Sequence, residues 1–426
     1  MGRGSVRGSA GVRSLAAAGV LIALVAGCTN SGSSSTSAQG PDGGGGAAIT
    51  TSPAPTTPPP AAPAKLVISP GNGADEQSVA APVTVKVVGG TGTTVTLRNG
   101  DGEAVKGAFN ADKTLWTSAE PLGYDKSYSV SATAANADGK TVKATSAFST
   151  VEPRTLTLPY LFPGNGGGPK TVGVGQPVEV RFDEPISDKA AAEKALTVTT
   201  SPHVDGAWHW FSDQTAHWRP KAYWAPGTKV TVKAAVYGVH VGDDVYGQED
   251  VTSSFTIGRS KIFTINDSTH LGTVRINGKI VKDGIPVSMG RGGSTKVDNQ
   301  TIFFTTQSGP HIVAEKYPVK RMTSASYGLP KDTPLGYDEL IKLAIRISPD
   351  GEFLHSAPWS VWAQGKQNTS HGCVNLSPAN AQWFYGNFST GDVVDIKNTG
   401  VDLPFAAGYN EWNVSWAKWT AGSATK

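Results

Sequence analysis

Cysteine is nearly absent from this chain. Only two cysteines, Cys28 and Cys373, occur among 426 residues, so a small fold stapled by several disulfides is excluded. Charged residues are scarce at 17%, and the formal net charge of +3 is too small and too scattered to predict a nucleic-acid partner. No cluster of ligating residues has zinc-site spacing, so the sequence predicts no metal site.

Turn-forming residues are abundant instead. The chain holds 51 glycines and 28 prolines, which favours turn-rich β structure and some low-complexity sequence over a helical bundle. A length of 426 residues exceeds what one core usually organises. The sequence therefore predicts two or three domains.

Residues 1–28 have the layout of an export signal. A basic start precedes an apolar run over residues 15–26, which is too short for a good bilayer-spanning helix. The small residues before Cys28 resemble a bacterial lipobox, whose cysteine is lipidated and becomes the mature N-terminus. A plain signal peptide with an incidental cysteine is the alternative. Both predict an exported protein, and the first predicts a lipid anchor on the outer face of the cytoplasmic membrane.

Residues 29–64 read as a disordered tether. They consist of Ser, Gly, Thr, Pro and Ala with almost no large apolar side chain, so they cannot bury a core. The proline-rich stretch 53–63 is expected to be extended and fairly stiff.

Two β-rich units follow, residues 65–150 and 151–258. Similar alternating segments occur in both, at residues 82–87 and 176–182 and again at 127–132 and 229–234. Period-two alternation between Gly, Pro, Asn and Asp turns is typical of antiparallel strands with one solvated face. We expect two tandem immunoglobulin-like β-sandwiches without a disulfide.

The second unit carries an unusual set of tryptophans and histidines. The set comprises Trp208, His209, Trp210, His217, Trp218 and Trp224. An aromatic binding surface or a metal site is one interpretation. The filling of a core or an interdomain seam is the favoured one, because alternating aromatic residues on strands commonly pack inside.

Residues 259–398 are expected to form a third, β-rich domain with one or two short helices. Short strands are joined by turns, and Asn277-Gly278 between alternating strands predicts a hairpin. Residues 378–388 predict a helix after a Ser-Pro start, and the positive end of its dipole is a candidate for stabilising a nearby thiolate. The tail, residues 399–426, has tryptophans at helical steps and is expected to pack back onto this domain.

The chemistry is concentrated around Cys373. If Cys28 carries lipid, Cys373 has no disulfide partner in the chain, and its alternatives are a nucleophile or a buried small apolar side chain. A nucleophilic thiol needs a base, a group that orients the base, and backbone N–H groups for the oxyanion. His355 and the segment around Gly372 supply candidates for these parts.

The arrangement resembles a known family. His355, 14 intervening residues, then Ser370-His371-Gly372-Cys373 followed by Asn375 is similar to the signature of L,D-transpeptidases with a YkuD-type catalytic domain. The resemblance covers residues 262–426. Tandem immunoglobulin-like domains on a lipoprotein tether resemble the mycobacterial and other actinobacterial members.

The resemblance implies roles for individual residues. Cys373 would be the nucleophile and His355 the general base, oriented by the backbone carbonyl of Ser356. Amides near Gly372 would form the oxyanion hole, and His371 would act either in catalysis or as a structural residue. Residues 317–340 are similar to the family's lid. The implied substrate-contacting residues are Met322, Tyr327, Tyr337, Asp350, Gly351, Trp359, Ser370 and Asn375.

The resemblance also implies a reaction. A peptidoglycan donor tetrapeptide would acylate the cysteine and release D-alanine, and the amine of diaminopimelate on an acceptor stem would complete a 3→3 cross-link. Carbapenem β-lactams would acylate the same thiol, and no cofactor is needed. An L,D-carboxypeptidase, a protein-anchoring transpeptidase and a non-catalytic scaffold that binds the cell wall remain alternatives.

Overall fold

The computed structural model describes residues 59–164, 168–408 and 410–425. The predicted signal segment with Cys28 and the tether up to residue 58 lie outside the described residues. The expected fold class is confirmed, because immunoglobulin-like sandwiches precede a β-rich domain with few helices. No helix in the described part of the chain is long and apolar enough to cross a membrane.

The first sandwich spans nine strands. They are β1 (Lys65–Ser69), β2 (Ala74–Gln77), β3 (Thr84–Val88), β4 (Thr91–Asn99), β5 (Ala104–Val105), β6 (Gly107–Phe109), β7 (Leu115–Ser118), β8 (Ser127–Ala135) and β9 (Thr141–Thr150). A sheet in the order β1-β3-β7-β6 faces one in the order β2-β9-β8-β4-β5. Val85 and Trp116 of the first meet Leu97 and Val130 of the second in one core, as the alternation predicts.

The sandwich begins within the predicted tether. Ala64 is buried against Val87 and Ala134, and the Asn136 side-chain amide donates to the carbonyl of Ala61 at 3.0 Å. These residues are small, so they pack closely against the sheet. The last few residues of the predicted tether therefore belong to the first domain.

The second sandwich contains the tryptophan-rich segment. Its elements are β10 (Thr155–Thr157), β11 (Pro159–Phe162), β12 (Thr171–Val172), β13 (Val178–Phe182), α1 (Lys189–Lys194), β14 (Leu196–Ser201), β15 (Gly206–Trp210), β16 (Thr215–Pro220), β17 (Lys229–Ala234), β18 (Val245–Gly247) and β19 (Val251–Ile257). The main sheets run β11-β13-β16-β15 and β12-β19-β17-β14, with β10 paired to β18. Trp208, Trp210, Trp218 and Trp224 are all buried in the core, which confirms the packing interpretation.

The third domain holds two sheets and a small hairpin. Its elements are β20 (Lys261–Asn266), β21 (Leu271–Ile276), β22 (Lys279–Pro286), β23 (Ser294–Val297), β24 (Gln300–Phe303), β25 (Gly309–Ile312), β26 (Lys316–Thr323), β27 (Asp338–Arg346), β28 (Phe353–Ser356), β29 (Val374–Leu376), α2 (Pro378–Asn387), β30 (Val393–Lys397) and α3 (Trp416–Thr420). Short 3₁₀ turns lie at Ser324–Tyr327 and Pro358–Ser360. One sheet runs β22-β21-β20-β30-β25 and the other β26-β27-β28-β29.

The local predictions for this domain are confirmed. Asn277 and Gly278 join β21 to β22 with φ values of 48° and 78°, the positive pair that a type I′ hairpin turn requires. Helix α2 starts at Pro378, after Ser377 accepts a hydrogen bond from the Asn380 amide. The phenyl ring of Phe384 anchors the helix in the core between the sheets.

The tail contacts the third domain, as expected, and the second sandwich as well. The Ser308 amide donates to the Val401 carbonyl at 2.6 Å, and the Asn413 side-chain amide donates to the Pro310 carbonyl at 2.8 Å.

The tail tryptophans pack on the second sandwich. The Trp419 indole N–H donates to the Ala207 carbonyl at 2.9 Å, and the Arg219 guanidinium lies 4.5 Å from the Trp412 ring and 4.4 Å from the Trp419 ring. An indole has an N–H donor and an electron-rich ring face. The β15 carbonyl accepts from the N–H, and the Arg219 guanidinium lies over the ring faces, so this surface suits the indoles better than a purely apolar one.

Buried charges lie at the seam between this tail and the second sandwich. His217 Nδ1 is 2.9 Å from Glu411 Oε1, and both side chains are almost fully buried. Burial raises the pKa of the neighbouring Glu179 to about 7, although the positive charge of His217 opposes that shift. His217 therefore takes part in the seam, and so does His209, whose Nδ1 lies 2.8 Å from the Trp419 carbonyl.

Candidate active site

Cys373 and His355 are brought together by two parallel strands. Strand β28 pairs with β29 so that Leu354 lies opposite Val374 and His355 opposite Asn375. Cys373 immediately precedes β29, and its thiol lines the same cavity as the His355 imidazole. The sheet register thus places a nucleophile beside a base.

His355 is a buried, neutral imidazole. Its Nδ1 lies 3.1 Å from the backbone carbonyl of Ser356, so Nδ1 carries the proton and donates it, and Nε2 keeps a free lone pair. Burial lowers the pKa of His355 to about 4, against a smaller opposing contribution from the Ser356 carbonyl. The Trp359 ring stacks at 6.0 Å and 28°. The base is therefore oriented and unprotonated at neutral pH.

The Cys373 side chain is half-buried in the wall of the cavity. Its Sγ lies 3.8 Å from the Gly351 carbonyl. Burial raises the pKa of the thiol to about 12, a backbone hydrogen bond with Phe353 opposes that shift, and the Glu352 charge adds to it. The resting pair is thus a thiol beside a neutral imidazole. A thiol beside a neutral imidazole is suited to nucleophilic attack assisted by a general base.

The helix dipole does not assist the thiol. Helix α2 begins only after strand β29, which separates Ser377 from Cys373 by roughly 13 Å of extended chain. Ser377 also caps the first turn through the Asn380 amide. Since helix-terminus effects fall off within about one turn, the expected stabilisation of a thiolate by this helix is wrong.

The turn before the nucleophile is fixed by two hydroxyls. Ser370 Oγ accepts from the Gly372 amide at 3.1 Å and donates to the Cys373 carbonyl at 2.6 Å. Thr306 Oγ1 donates to the Gly372 carbonyl at 2.6 Å and accepts from the Gly290 amide at 2.8 Å. The turn is therefore locked from both sides.

Glycine is required at position 372 by its backbone conformation. Its φ is +143°, and an added Cβ would meet only Glu352 Cγ, at 3.9 Å. A residue with a Cβ is therefore disfavoured at this position by backbone strain and not by a lack of space. In this conformation the Gly372 N–H is directed to Ser370 Oγ.

Asn375 lines the cavity and is largely buried. Its Nδ2 donates to Ser360 Oγ at 3.0 Å, and its main chain pairs with Ser288. Its Oδ1 is buried without a hydrogen-bond partner among the described residues.

A buried hydrogen bond between Glu352 and His311 supports the segment beside the thiol. Glu352 Oε2 lies 3.0 Å from His311 Nε2, and Glu352 Oε1 accepts from the Gln307 amide at 3.0 Å. Glu352 separates Gly351 and Phe353, the two residues whose backbones contact Cys373 Sγ. The hydrogen bonds of Glu352 therefore stabilise the backbone segment that contacts the sulfur.

The predicted lid is a hairpin of β26 and β27. Met322 and Tyr337 of this hairpin line the cavity. The hairpin is tied to the nucleophile turn, because His371 Nε2 lies 2.9 Å from the Leu335 carbonyl and the His371 ring lies 5.1 Å from that of Tyr337. Arg291 also contacts the His371 ring nitrogen. These contacts favour a structural role for His371.

Comparisons with known proteins agree with this geometry. The L,D-transpeptidase catalytic domain family matches residues 260–396, and a bacterial Ig domain family matches residues 74–240. L,D-transpeptidase 2 of Mycobacterium tuberculosis is 43% identical over 361 residues, which cover 84% of this chain and 85% of that protein.

The chain belongs to the L,D-transpeptidase family. It is therefore a transpeptidase enzyme, and the alternative of a non-catalytic scaffold is set aside. L,D-transpeptidase 5 of M. tuberculosis is 37% identical, over 84% of this chain and 77% of that protein. A solved L,D-transpeptidase in complex with imipenem is 32% identical, covers 56% of this chain and 99% of that chain, and has a TM-score of 0.46.

The transpeptidase cavity gathers most of the residues singled out from the sequence. It is lined by Met322, Tyr337, Glu339, Ile341, His355, Trp359, Ser360, Trp362, Thr369, Ser370, His371, Cys373 and Asn375. Tyr327 instead packs beneath the lid against Ile302, Phe304 and Leu329. Asp350 is exposed and lies outside this lining, whereas its neighbour Gly351 contacts the sulfur.

Several residues of this transpeptidase site were missed by sequence reasoning. Thr306, Glu352 and His311 support the nucleophile from other strands and loops, and no local motif marks them. Glu339 and Trp362 line the cavity without belonging to the signature. The alternation along β27 could have identified Glu339, since it shares a face with Tyr337.

Proposed function

We propose that this transpeptidase forms 3→3 peptidoglycan cross-links through a thioester on Cys373. The main support for this proposal is that the Cys373 thiol and a neutral, backbone-oriented His355 line one cavity. A nucleophile with an adjacent oriented base is the arrangement that acyl transfer requires.

In the first half-reaction, Cys373 Sγ attacks the carbonyl of the third stem residue, meso-diaminopimelate, at its L-centre. The thiol proton passes to His355 Nε2 and then to the leaving D-alanine amine, and a thioester remains. In the second half, the side-chain amine of an acceptor diaminopimelate attacks the thioester and His355 returns a proton to the sulfur. Closure of the lid would exclude water, which competes with the amine.

The same thiol is proposed to open carbapenem β-lactams and retain them as a covalent adduct. The strained lactam carbonyl is an acyl donor that needs the same base and cavity. Lipidation of Cys28 and export would place the enzyme on the outer face of the cytoplasmic membrane, in the cell-wall space where stem peptides are found.

Product analysis tests this function. The enzyme is incubated with a disaccharide-tetrapeptide, and the products are separated and sequenced by tandem mass spectrometry. A dimer joined between diaminopimelate residues, with one D-alanine released, is the expected result. A tripeptide without dimer would assign an L,D-carboxypeptidase, and transfer only to a protein amine would assign an anchoring enzyme.

A further inference from the structure

One carboxylate stands out in the cavity. Among the described residues that line it, Glu339 is the sole acidic side chain, and there is no Lys or Arg. Glu339 lies on β27 between Tyr337 and Ile341, which share its face of the strand, and opposite Met322 of β26. All four line the cavity. The lid therefore presents a single negative charge to the space that contains the nucleophile.

The Glu339 carboxylate is available for a ligand. The carboxylate of its neighbour Asp338 accepts two hydrogen bonds of 2.8 Å each from the Arg321 guanidinium. Glu339 is exposed and forms no ion pair or hydrogen bond in the described part of the chain. Tyr337 lies two residues from Glu339 on the same face of the strand; burial raises the pKa of Tyr337, and the Glu339 charge raises it further.

We propose that Glu339 is the subsite that captures the cationic amine of the acceptor. The inference rests on the proposed cross-linking function and names the group that selects an amine over water. The reacting group of the donor is a neutral carbonyl, whereas the reacting group of the acceptor is a primary amine that arrives as an ammonium ion. An unpartnered carboxylate in a partly enclosed cavity raises the local concentration of such a cation.

The proton balance is compatible with this docking. The ammonium group held at Glu339 loses one proton to water, and the neutral amine forms the C–N bond with the thioester carbon. A second proton passes from nitrogen through His355 Nε2 to Cys373 Sγ as the C–S bond breaks. The carboxylate itself takes no proton, so its role is binding.

Acceptor kinetics test the proposal. Cross-linking is measured at saturating donor over a range of acceptor-stem concentrations, for the wild type, Glu339→Gln and Asp332→Asn. Asp332 is an exposed lid carboxylate outside the cavity lining. Asp332→Asn therefore removes the same charge as Glu339→Gln, but from outside the cavity. We expect Glu339→Gln to raise the acceptor KM about fivefold at low salt, with a smaller difference at high salt.

Two further readouts separate binding from structure. Acylation by a carbapenem and aminolysis of the acyl-enzyme by hydroxylamine, which is neutral at pH 7.5, are expected to be equal in all three proteins. An unchanged acceptor KM in Glu339→Gln, or an equal loss of carbapenem acylation, would overturn the proposal. Absence of dimer in the wild type would instead refute the proposed cross-linking, and the acceptor subsite with it.

Discussion

His355 Nδ1 donates its hydrogen bond to the main-chain carbonyl of the next residue, Ser356, at 3.1 Å. The group that orients the base is therefore part of the backbone of strand β28. This arrangement fixes the tautomer, because the donor proton must be on Nδ1 and the lone pair on Nε2. No separate acidic side chain is needed to hold the ring.

The first prediction follows from this backbone contact. Ser356→Ala should retain kcat/KM for carbapenem acylation within about twofold, because the carbonyl remains. His355→Gln should lose about 10²- to 10⁴-fold, the usual contribution of a general base. Stopped-flow measurement of acylation would check both. A loss in Ser356→Ala as large as that in His355→Gln would assign the orienting role to the hydroxyl.

The second prediction concerns the protonation of Cys373. Because burial raises the pKa of the thiol to about 12 and lowers the pKa of His355 to about 4, the free enzyme holds the neutral pair between these values. The rate of alkylation by iodoacetamide should rise with pH through the range from 7 to 9, about tenfold per unit. A cysteine-containing peptide serves as the reference. A plateau from pH 5 to 8 would indicate a thiolate–imidazolium pair.

The third prediction concerns Thr306, which holds the peptide before the nucleophile. Thr306→Val removes the hydroxyl that links Gly290 to Gly372 and leaves two buried groups unpaired. We expect a loss of about 1 to 3 kcal/mol in the free energy of unfolding and slower acylation. Urea denaturation and acylation kinetics measure the two effects. The control is Thr301→Val, an exposed position on β24; equal behaviour of both variants would contradict this role.

The fourth prediction concerns the buried seam of the second sandwich. Burial raises the pKa of Glu179 from 4.5 to about 7, so the folded state binds a proton that the unfolded state releases over this range. This contribution to stability is present below pH 4.5 and is lost as the pH rises through 7, by about 3 kcal/mol in all. Glu179→Gln should therefore gain stability relative to the wild type between pH 5 and pH 8.

Chemical denaturation at those two pH values, with the wild type and Glu179→Gln compared directly, checks this sign. A difference between the two proteins that is the same at both pH values would contradict a raised pKa at Glu179.

The sequence predicted those elements whose conformation depends only on neighbouring residues. The Asn277-Gly278 turn needs positive φ at two successive residues, and the start of helix α2 needs a hydroxyl cap followed by proline. Both are properties of a few neighbouring residues. The His355 and Cys373 signature was equally compact, so the core of the site was recognisable.

Long-range partners could not be predicted in the same way. The spacing of Trp412, Trp416 and Trp419 predicts an apolar face but does not show which surface this face packs against. In the structure the three rings pack against Arg219 of the second sandwich. Thr306 and Glu352 act on Cys373 through contacts that only the folded sheets create. Glu339 was missed because a single acid on an alternating strand is ordinarily a solvated residue.

Cys373 is proposed as the nucleophile that becomes acylated. Intact-protein mass spectrometry of the enzyme with a carbapenem, and in parallel with a disaccharide-tetrapeptide, tests this role, with Cys373→Ala as the matched control. We expect a mass increase on the wild type that proteolysis locates at Cys373, and none on the variant. No adduct on the wild type with its thiol reduced, or an equal adduct on Cys373→Ala, would contradict it.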